Sequence, residues 1–379
     1  MPAGAWISDY YLYVGDRKDF GLLAEKRAAT WIYATIRNIR KDPGILYYLG
    51  GNQVRFKVFP FSKDEVRKTG FEIIHKEPFT LEIDGQAKQL GDPDHRAVGF
   101  ENENVLYLTS TEKASLNKTA RTPYFHYIVD ASNEADVEYQ LNKIDNFIAS
   151  QSDYTQISKV TFANEDHIVT ANAAIAKETW QNINPTLDRK SGFFLDRAIK
   201  KILFTNYKEN TSSYPIILVA SDKWQTTIPI VDTRDWAFTI PEGVDYYMLN
   251  HAKKLYRHSN EIDSLTPDIN PQSLLKQQLV LEYPLGDGSL RYLPDNDEGS
   301  LILKQDKFEL PDSDISEKDW TSGLLLQAKH HSHTLHPELI NNEWTNIVRQ
   351  SFRSRVMTPL TSYIAVSYTH LTLPTIYSV

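Results

Sequence analysis

Residues 124–134 read Tyr-Phe-His-Tyr-Ile-Val-Asp-Ala-Ser-Asn-Glu. An apolar run ends in a carboxylate, Asp130. A hydroxyl, Ser132, follows two residues on, and a second carboxylate, Glu134, two after that. Oxygen donors of these types suit a hard cation: Mg²⁺ takes about six oxygens in octahedral array, and Ca²⁺ a larger and looser set. A second apolar run, Tyr-Pro-Ile-Ile-Leu-Val-Ala-Ser-Asp, ends in Asp222. In an open α/β sheet ligands sit beyond the carboxyl ends of the strands, which is where both aspartates fall if the two runs are strands. The plainer alternative is that Asp130 merely closes a strand near a helix N-terminus, where negative charge is favourable.

Other residues invite chemistry less strongly. His330, His331, His333 and His336 lie in one tract, Lys-His-His-Ser-His-Thr-Leu-His. Imidazoles in such tracts ligate Zn²⁺ or Ni²⁺, and His333 and His336 fall on one face of a helix. The alternative is a solvated helix end. No HExxH or GxSxG pattern accompanies them, so a zinc-protease signature or nucleophile elbow is lacking. Gly286-Asp287-Gly288-Ser289 lacks the flanking carboxylates of a calcium loop and reads as a turn. The aromatic group Trp6, Tyr10, Tyr11 and Tyr13 reads as packing before it reads as a sugar platform.

These residues must be positioned by secondary structure. Residues 4–21 read as a strand closed by a Gly-Asp turn. Ala28, Ile32, Ile36 and Ile39 recur at helical spacing, and Asp42-Pro43-Gly44 stops that helix. Val54, Phe56 and Val58 alternate as in a half-buried strand, with two further strands at 71–75 and 79–83. Residues 86–121 are polar and read as a linker with one short strand at 105–111. Then come an apolar strand, Tyr124–Val129, covered on both faces, a helix striped by Val137, Leu141, Ile144 and Ile148, strands near 157–163 and 167–171, a helix with Leu195, Ala198, Ile199 and Ile202 on one face, and the strand at 214–220. Strand, helix, strand pair, helix, strand is the grammar of an open α/β sheet. Residues 279–293 suggest strands around a turn, and 319–329 with 337–355 two helices.

The bulk numbers narrow the function. The chain has 379 residues, enough for two or three domains, with net charge −8 and no cysteine. An acidic chain does not present the basic face that nucleic acid needs. Without cysteine, disulfides, thiolate metal sites and cysteine nucleophiles are excluded. No apolar run approaches the ~18 residues of a spanning helix.

Residues 2–33 and 42–61 carry a Gly15-Asp16-Arg17 turn, an Ala24-Glu25-Lys26 helix start, the Asp42-Pro43-Gly44 stop and a Val58-Phe59-Pro60-Phe61 strand. In this order they resemble the second half of a VIT domain, the module of inter-alpha-trypsin inhibitor heavy chains and many bacterial surface proteins. The region from about 122 to 255 is similar to a divergent von Willebrand factor A (vWA) domain, and VIT followed by vWA is the usual order. Relatives of this type are found in exosortase-type sorting systems. The resemblance implies the adhesion motif Asp-x-Ser-x-Ser, completed by a threonine from another loop and an aspartate after a later strand. Asp130 and Ser132 match its start, Glu134 replaces the second serine, Ser191 is the nearest stand-in for the threonine, and Asp222 takes the later aspartate's place. Either Glu134 joins the shell and shifts preference toward Ca²⁺, or the site has lost its ion.

The expected fold is therefore α+β and α/β multidomain: a partial β-rich VIT domain (1–85), a linker (86–121), a vWA-like doubly wound, mostly parallel α/β domain (122–255) and a C-terminal packing region (256–365). Residues 366–379 resemble a translated sequencing adaptor, and the chain is expected to be a fragment at both ends. The implied function is non-enzymatic: a bacterial cell-envelope protein that binds a protein or surface ligand through a Mg²⁺ or Ca²⁺ site formed by Asp130, Ser132, Glu134, Ser191 and Asp222. Membrane association would lie in segments outside this chain. The alternatives are a metal-free structural envelope protein and a metal-dependent hydrolase using the histidine tract.

Overall fold

The computed structural model describes residues 1–38, 43–51, 53–59, 66–83, 85–151, 158–189, 192–209, 211–221, 231–250, 254–258, 265–315 and 317–366. They form two compact units, one built from Met1–Ser115 together with Asn296–Val379, the other from Leu116–Asp295. In sequence, the second unit interrupts the first. The expected breaks at 85, 121 and 255 give way to breaks at 115 and 295.

The first segment runs β1 (Ala5–Val14), β2 (Arg17–Phe20), β3 (Leu22–Glu25), α1 (Lys26–Asn38), β4 (Pro43–Gly50), β5 (Gln53–Val58), β6 (Thr69–His75), β7 (Phe79–Ile83), β8 (Gln86–Leu90), β9 (Phe100–Glu101), β10 (Val105–Leu108) and α2 (Ser110–Lys113). The second unit contributes β11 (Asn117–Ala120), β12 (Thr122–Asp130), α3 (Val137–Ala149), β13 (Lys159–Ala163), β14 (His167–Asn172), α4 (Ala176–Ile183), α5 (Leu195–Glu209), β15 (Ser213–Val219), β16 (Tyr246–Leu249), β17 (Leu255–His258), β18 (Leu265–Ile269), α6 (Pro271–Leu274), β19 (Leu279–Pro284) and β20 (Leu290–Pro294). The chain then returns to the first unit with β21 (Ser300–Leu303), α7 (Trp320–Leu335), α8 (Ile340–Ser354) and β22 (Thr361–Val366). Residues 86–121, read as a linker, instead hold four strands and a helical turn.

In the first unit, β22 lies between β3 and β4 in a four-stranded antiparallel sheet, β3-β22-β4-β5. Alternation along β22 sends Tyr363 and Ala365 to one core with Ile7, Tyr10, Leu12 and Leu46, and Ile364 to another with Ala29, Tyr33 and Ile45. The second core is capped by α1. Its N-terminus is held by Glu25, whose carboxylate accepts from the Arg27 and Ala28 amides at 3.0 and 2.8 Å. Its buried stripe is Ala29, Tyr33 and Ile36; of the predicted Ala28, Ile32, Ile36 and Ile39, Ile36 is buried, Ala28 and Ile32 are half-buried, and Ile39 lies outside the described residues. The Tyr363 hydroxyl lies 2.8 Å from the Ser8 carbonyl and 2.6 Å from the Arg355 carbonyl and shares its one hydrogen between them, tying β22 to β1. Trp6 and Tyr10 are buried core residues and Tyr11 and Tyr13 pack edge-on, so the aromatic group is structural.

Gly323 in α7 is fixed by close approach: a Cβ there would sit 2.5 Å from the Trp6 ring. Gly323→Val is expected to lower stability by about 1–3 kcal/mol through overpacking, read as a lower urea midpoint. An unchanged midpoint would mean that α7 does not depend on that contact.

The second unit contains a seven-stranded sheet in the order β14-β13-β12-β15-β16-β17-β18. The core pairs β12–β13, β12–β15 and β15–β16 are parallel, whereas β13–β14, β16–β17 and β17–β18 are antiparallel. The sheet is thus mixed, with a parallel centre and antiparallel flanks, rather than mostly parallel. Strand β12 is buried from Pro123 to Asp130, as its unbroken apolar run requires. Phe147 of α3 packs edge-on against Phe125 and Tyr127 at 5.6 and 6.3 Å. The chain leaves β12 for β13 on one side and later enters β15 on the other, so the winding direction changes at β12. A short three-stranded antiparallel sheet, β11-β19-β20, completes the unit, with Gly288 at φ +84° turning the Asp287 loop. Among the described residues no helix is long and apolar enough to cross a membrane.

Candidate functional site

Asp130 ends β12 opposite Ala163, the last residue of β13. On the other side the Ala220 amide donates to the Ile128 carbonyl at 2.9 Å, which brings the end of β15 level with Asp130. The carboxyl ends of three adjacent parallel strands thus form one edge, at the place where the winding changes direction. This is where open α/β sheets form crevices.

Asp130 is 2% exposed. A carboxylate so placed must be bonded. Its Oδ1 accepts from the Ser132 amide at 2.9 Å, and Oδ2 lies 3.4 Å from the Ser221 hydroxyl. The first contact folds the chain into a side-chain-to-backbone turn of the kind Asp favours, which explains why a strand end is followed so closely by a buried Ser132. Gln140 of α3 brackets the same residue: it accepts from the Asp130 amide and donates to its carbonyl, both at 2.9 Å. Helix α3 is itself started by Asp136, whose side chain accepts from the Tyr139 amide at 2.9 Å.

Arg189 closes the loop between β12 and α3. Its guanidinium donates to the carbonyls of Ala131 (3.3 Å), Ser132 and Ala135 (2.7 Å), and it lies 5.5 Å from the Trp180 ring. Three carbonyls that face inward are thereby satisfied by a side-chain cation. The loop has an internal electrostatic clamp.

Of the five predicted site residues, Asp130 and Ser132 are adjacent at this edge, and Glu134 is exposed on the following turn. Ser191 and Asp222 lie outside the described residues. Three contributors were missed in the sequence. Ser221 immediately precedes Asp222. Gln140 is a polar residue beside the apolar stripe of α3. Arg189 precedes Ser191 by two positions, in a polar stretch without a distinguishing signal. The Asp130 carboxylate and the Ser132 hydroxyl are oxygen groups of the kind a divalent cation takes, and Asp130 Oδ1 is already engaged by the Ser132 amide. Among the described residues no three acidic or histidine side chains converge on one point.

The histidine tract lies in α7 of the first unit. His333 is buried, with Nε2 2.8 Å from Glu343 Oε2. Burial holds its pKa below the ordinary imidazole value, against the opposing pull of Glu343. His336 lies 3.4 Å from both Asp306 and Glu338. The two imidazoles predicted to share a face therefore have different carboxylate partners.

No family model matches the chain, and no curated protein matches it.

The strand-end group is polar and bonded within the fold. Its carboxylate accepts from the Ser132 amide and lies against the Ser221 hydroxyl. The neighbouring Asn164, buried at the end of β13, uses its side-chain oxygen to accept from the Asp166 amide at 3.0 Å and so shapes the adjacent loop.

Proposed function

We propose that the chain is a non-enzymatic binding protein of the bacterial cell envelope, with VIT-like and vWA-like parts, whose second unit engages a protein or surface ligand through the edge containing Asp130. The observation that carries this reading is the bonded, buried Asp130 beside Ser132 at the carboxyl edge where the winding reverses. The parallel centre of the sheet and the early turn-rich β segment of the first unit support it. Asp130 and Ser132 would hold a Mg²⁺ or Ca²⁺ ion, with Glu134, Ser191 and Asp222 as the further ligands the resemblance implies. When bound, the ion would leave a coordination position for a partner's carboxylate.

Isothermal titration of the protein with MgCl₂ and CaCl₂ tests the proposal. Wild-type protein is expected to bind one of them, and Asp130→Asn, which keeps an acceptor for the Ser132 amide, to weaken that binding at least about tenfold. Wild-type protein that takes up neither ion would overturn the metal-dependent reading. The second reading, a metal-free assembly surface, is favoured by a specific feature: Arg189 already satisfies the loop carbonyls that an ion would otherwise help to order. Partners retained on the purified protein in the presence of a chelator would support that alternative.

A further inference from the structure

The first unit holds a separate group of buried polar side chains that the reading above does not use. A cavity of about 200 Å³ is walled by Lys329 of α7, Glu343, Asn346 and Gln350 of α8, and the apolar Leu310 and Ile347. The exposed Glu309 also lines it, so the space is reached from solvent. With a water's share of liquid volume at about 30 Å³, the cavity matches roughly seven waters or one six-membered sugar ring.

The bonding capacity of the walls is only partly used. The Lys329 side chain is 2% exposed; its ammonium donates to the Phe308 carbonyl and lies 2.7 Å from Glu343 Oε2. A third N–H remains, since an ammonium has three donors. Glu343 Oε2 takes both Lys329 and His333, while its Oε1 accepts no bond among the described residues. Burial alone would raise the Glu343 pKa, but the bonds from Lys329 and His333 outweigh it and keep the carboxylate ionised. The Asn346 side-chain carbonyl is buried without a partner among the described residues. Leaving such a group dry is costly, so the site calls for a donor from outside the protein.

Donors and acceptors thus share one wall, the Lys329 and Glu343 charges cancel, and Leu310 and Ile347 supply an apolar surface. Inside the exposed Glu309 at its mouth the cavity wall carries no net charge, so a charged ligand seated there would have no counter-ion of its own. A hydroxyl both donates and accepts, and adjacent hydroxyls can meet Lys329, Glu343 and Asn346 together. We infer that this cavity binds a single neutral sugar unit, held through vicinal hydroxyls by Asn346, Glu343 and Lys329. The site is independent of the Asp130 edge and of any metal.

Saturation-transfer NMR on the 379-residue protein tests this with D-glucose, D-galactose and N-acetyl-D-glucosamine, and with zwitterionic L-alanine and the anion acetate as comparators. At least one sugar is expected to show transfer. Asn346→Leu should weaken it at least about tenfold, the equivalent of one good hydrogen bond. Its melting temperature should be unchanged or higher, because the substitution removes an unpartnered buried carbonyl. Asn346→Ala serves the same comparison if the leucine variant does not fold. Absence of transfer from all three sugars, transfer unaffected by the substitution, or stronger transfer to L-alanine or acetate would overturn the assignment.

Discussion

Between pH 6.5 and 3 the second unit is expected to lose about 5 kcal/mol of stability through one side chain, His126. His126 is wholly buried in β12, and desolvation pushes its pKa down from 6.5 to about 3, with positive charge on Lys159 and His167 acting in the same direction. Its Nε2 is 2.7 Å from the Thr161 hydroxyl, which continues to Thr170 at 2.7 Å and then to His167 at 2.9 Å. Its Nδ1 is buried without a partner among the described residues. The folded state therefore keeps the ring neutral. Above pH 6.5 the unfolded ring is neutral too, and the contribution is intact. As the pH falls below 6.5, the unfolded ring takes a proton that the folded one refuses, and stability drops by about 1.4 kcal/mol per pH unit until the folded pKa is reached. Carboxylates titrate across the lower part of this window, so the decisive comparison is with His126→Leu. Urea denaturation at successive pH values should give a markedly flatter profile for that variant. Parallel profiles would show that His126 does not carry the acid sensitivity.

Removing Arg121 is expected to cost about 3–5 kcal/mol, because it leaves a carboxylate buried without its counter-ion. Arg121 and Glu242 have side chains 2% and 0% exposed and are joined by Nη1 bonds of 3.2 and 2.9 Å. The remaining donors reach Thr211 O, Ser213 O and Asn206 Oδ1, and the guanidinium lies 4.3 Å from the Tyr292 ring. Burial raises the Glu242 pKa despite the opposing attraction of Arg121. Every arm of the guanidinium is thus occupied, and the group links the start of β12 to the chain just before β15 and to the segment before β16. Arg121→Ala should lower the urea midpoint strongly, whereas Arg121→Met with Glu242→Leu should recover most of the loss, since an apolar pair leaves no buried charge. If Arg121→Ala cost less than about 1 kcal/mol, the pair would rank with exposed ion pairs.

What could be read in advance follows from burial. Strand β12 stood out because both its faces are covered and its residues run apolar without a break. Helix α5 was legible because Leu195, Ala198, Ile199 and Ile202 all face the interior. Strands β8 and β11 escaped because nearly all their residues face solvent and carry polar side chains, leaving no alternation to detect. Strands β16 to β18 were missed as well: four or five residues each is too short for periodicity to emerge. At the candidate site, Asp130 and Ser132 were visible as polar residues ending an apolar run. Arg189 and Gln140 were not, since their partners are backbone atoms brought near only by the fold. The same holds for Arg121, whose carboxylate partner is 121 positions away.

The central position of β22 has a consequence for synthesis. Leu22 lies opposite Ile364, so the two partners emerge 342 residues apart. At ribosomal rates of ~5–20 residues per second, strands β3 and β4 wait roughly 15–65 s before their missing neighbour is made. During that interval Leu116–Asp295, being continuous, can complete its own folding, while β3 and β4 still present unpaired backbone to the surroundings. The nascent chain is most open to wrong pairing in that window, and yield in a cell is then governed by how well those two edges are shielded until β22 arrives.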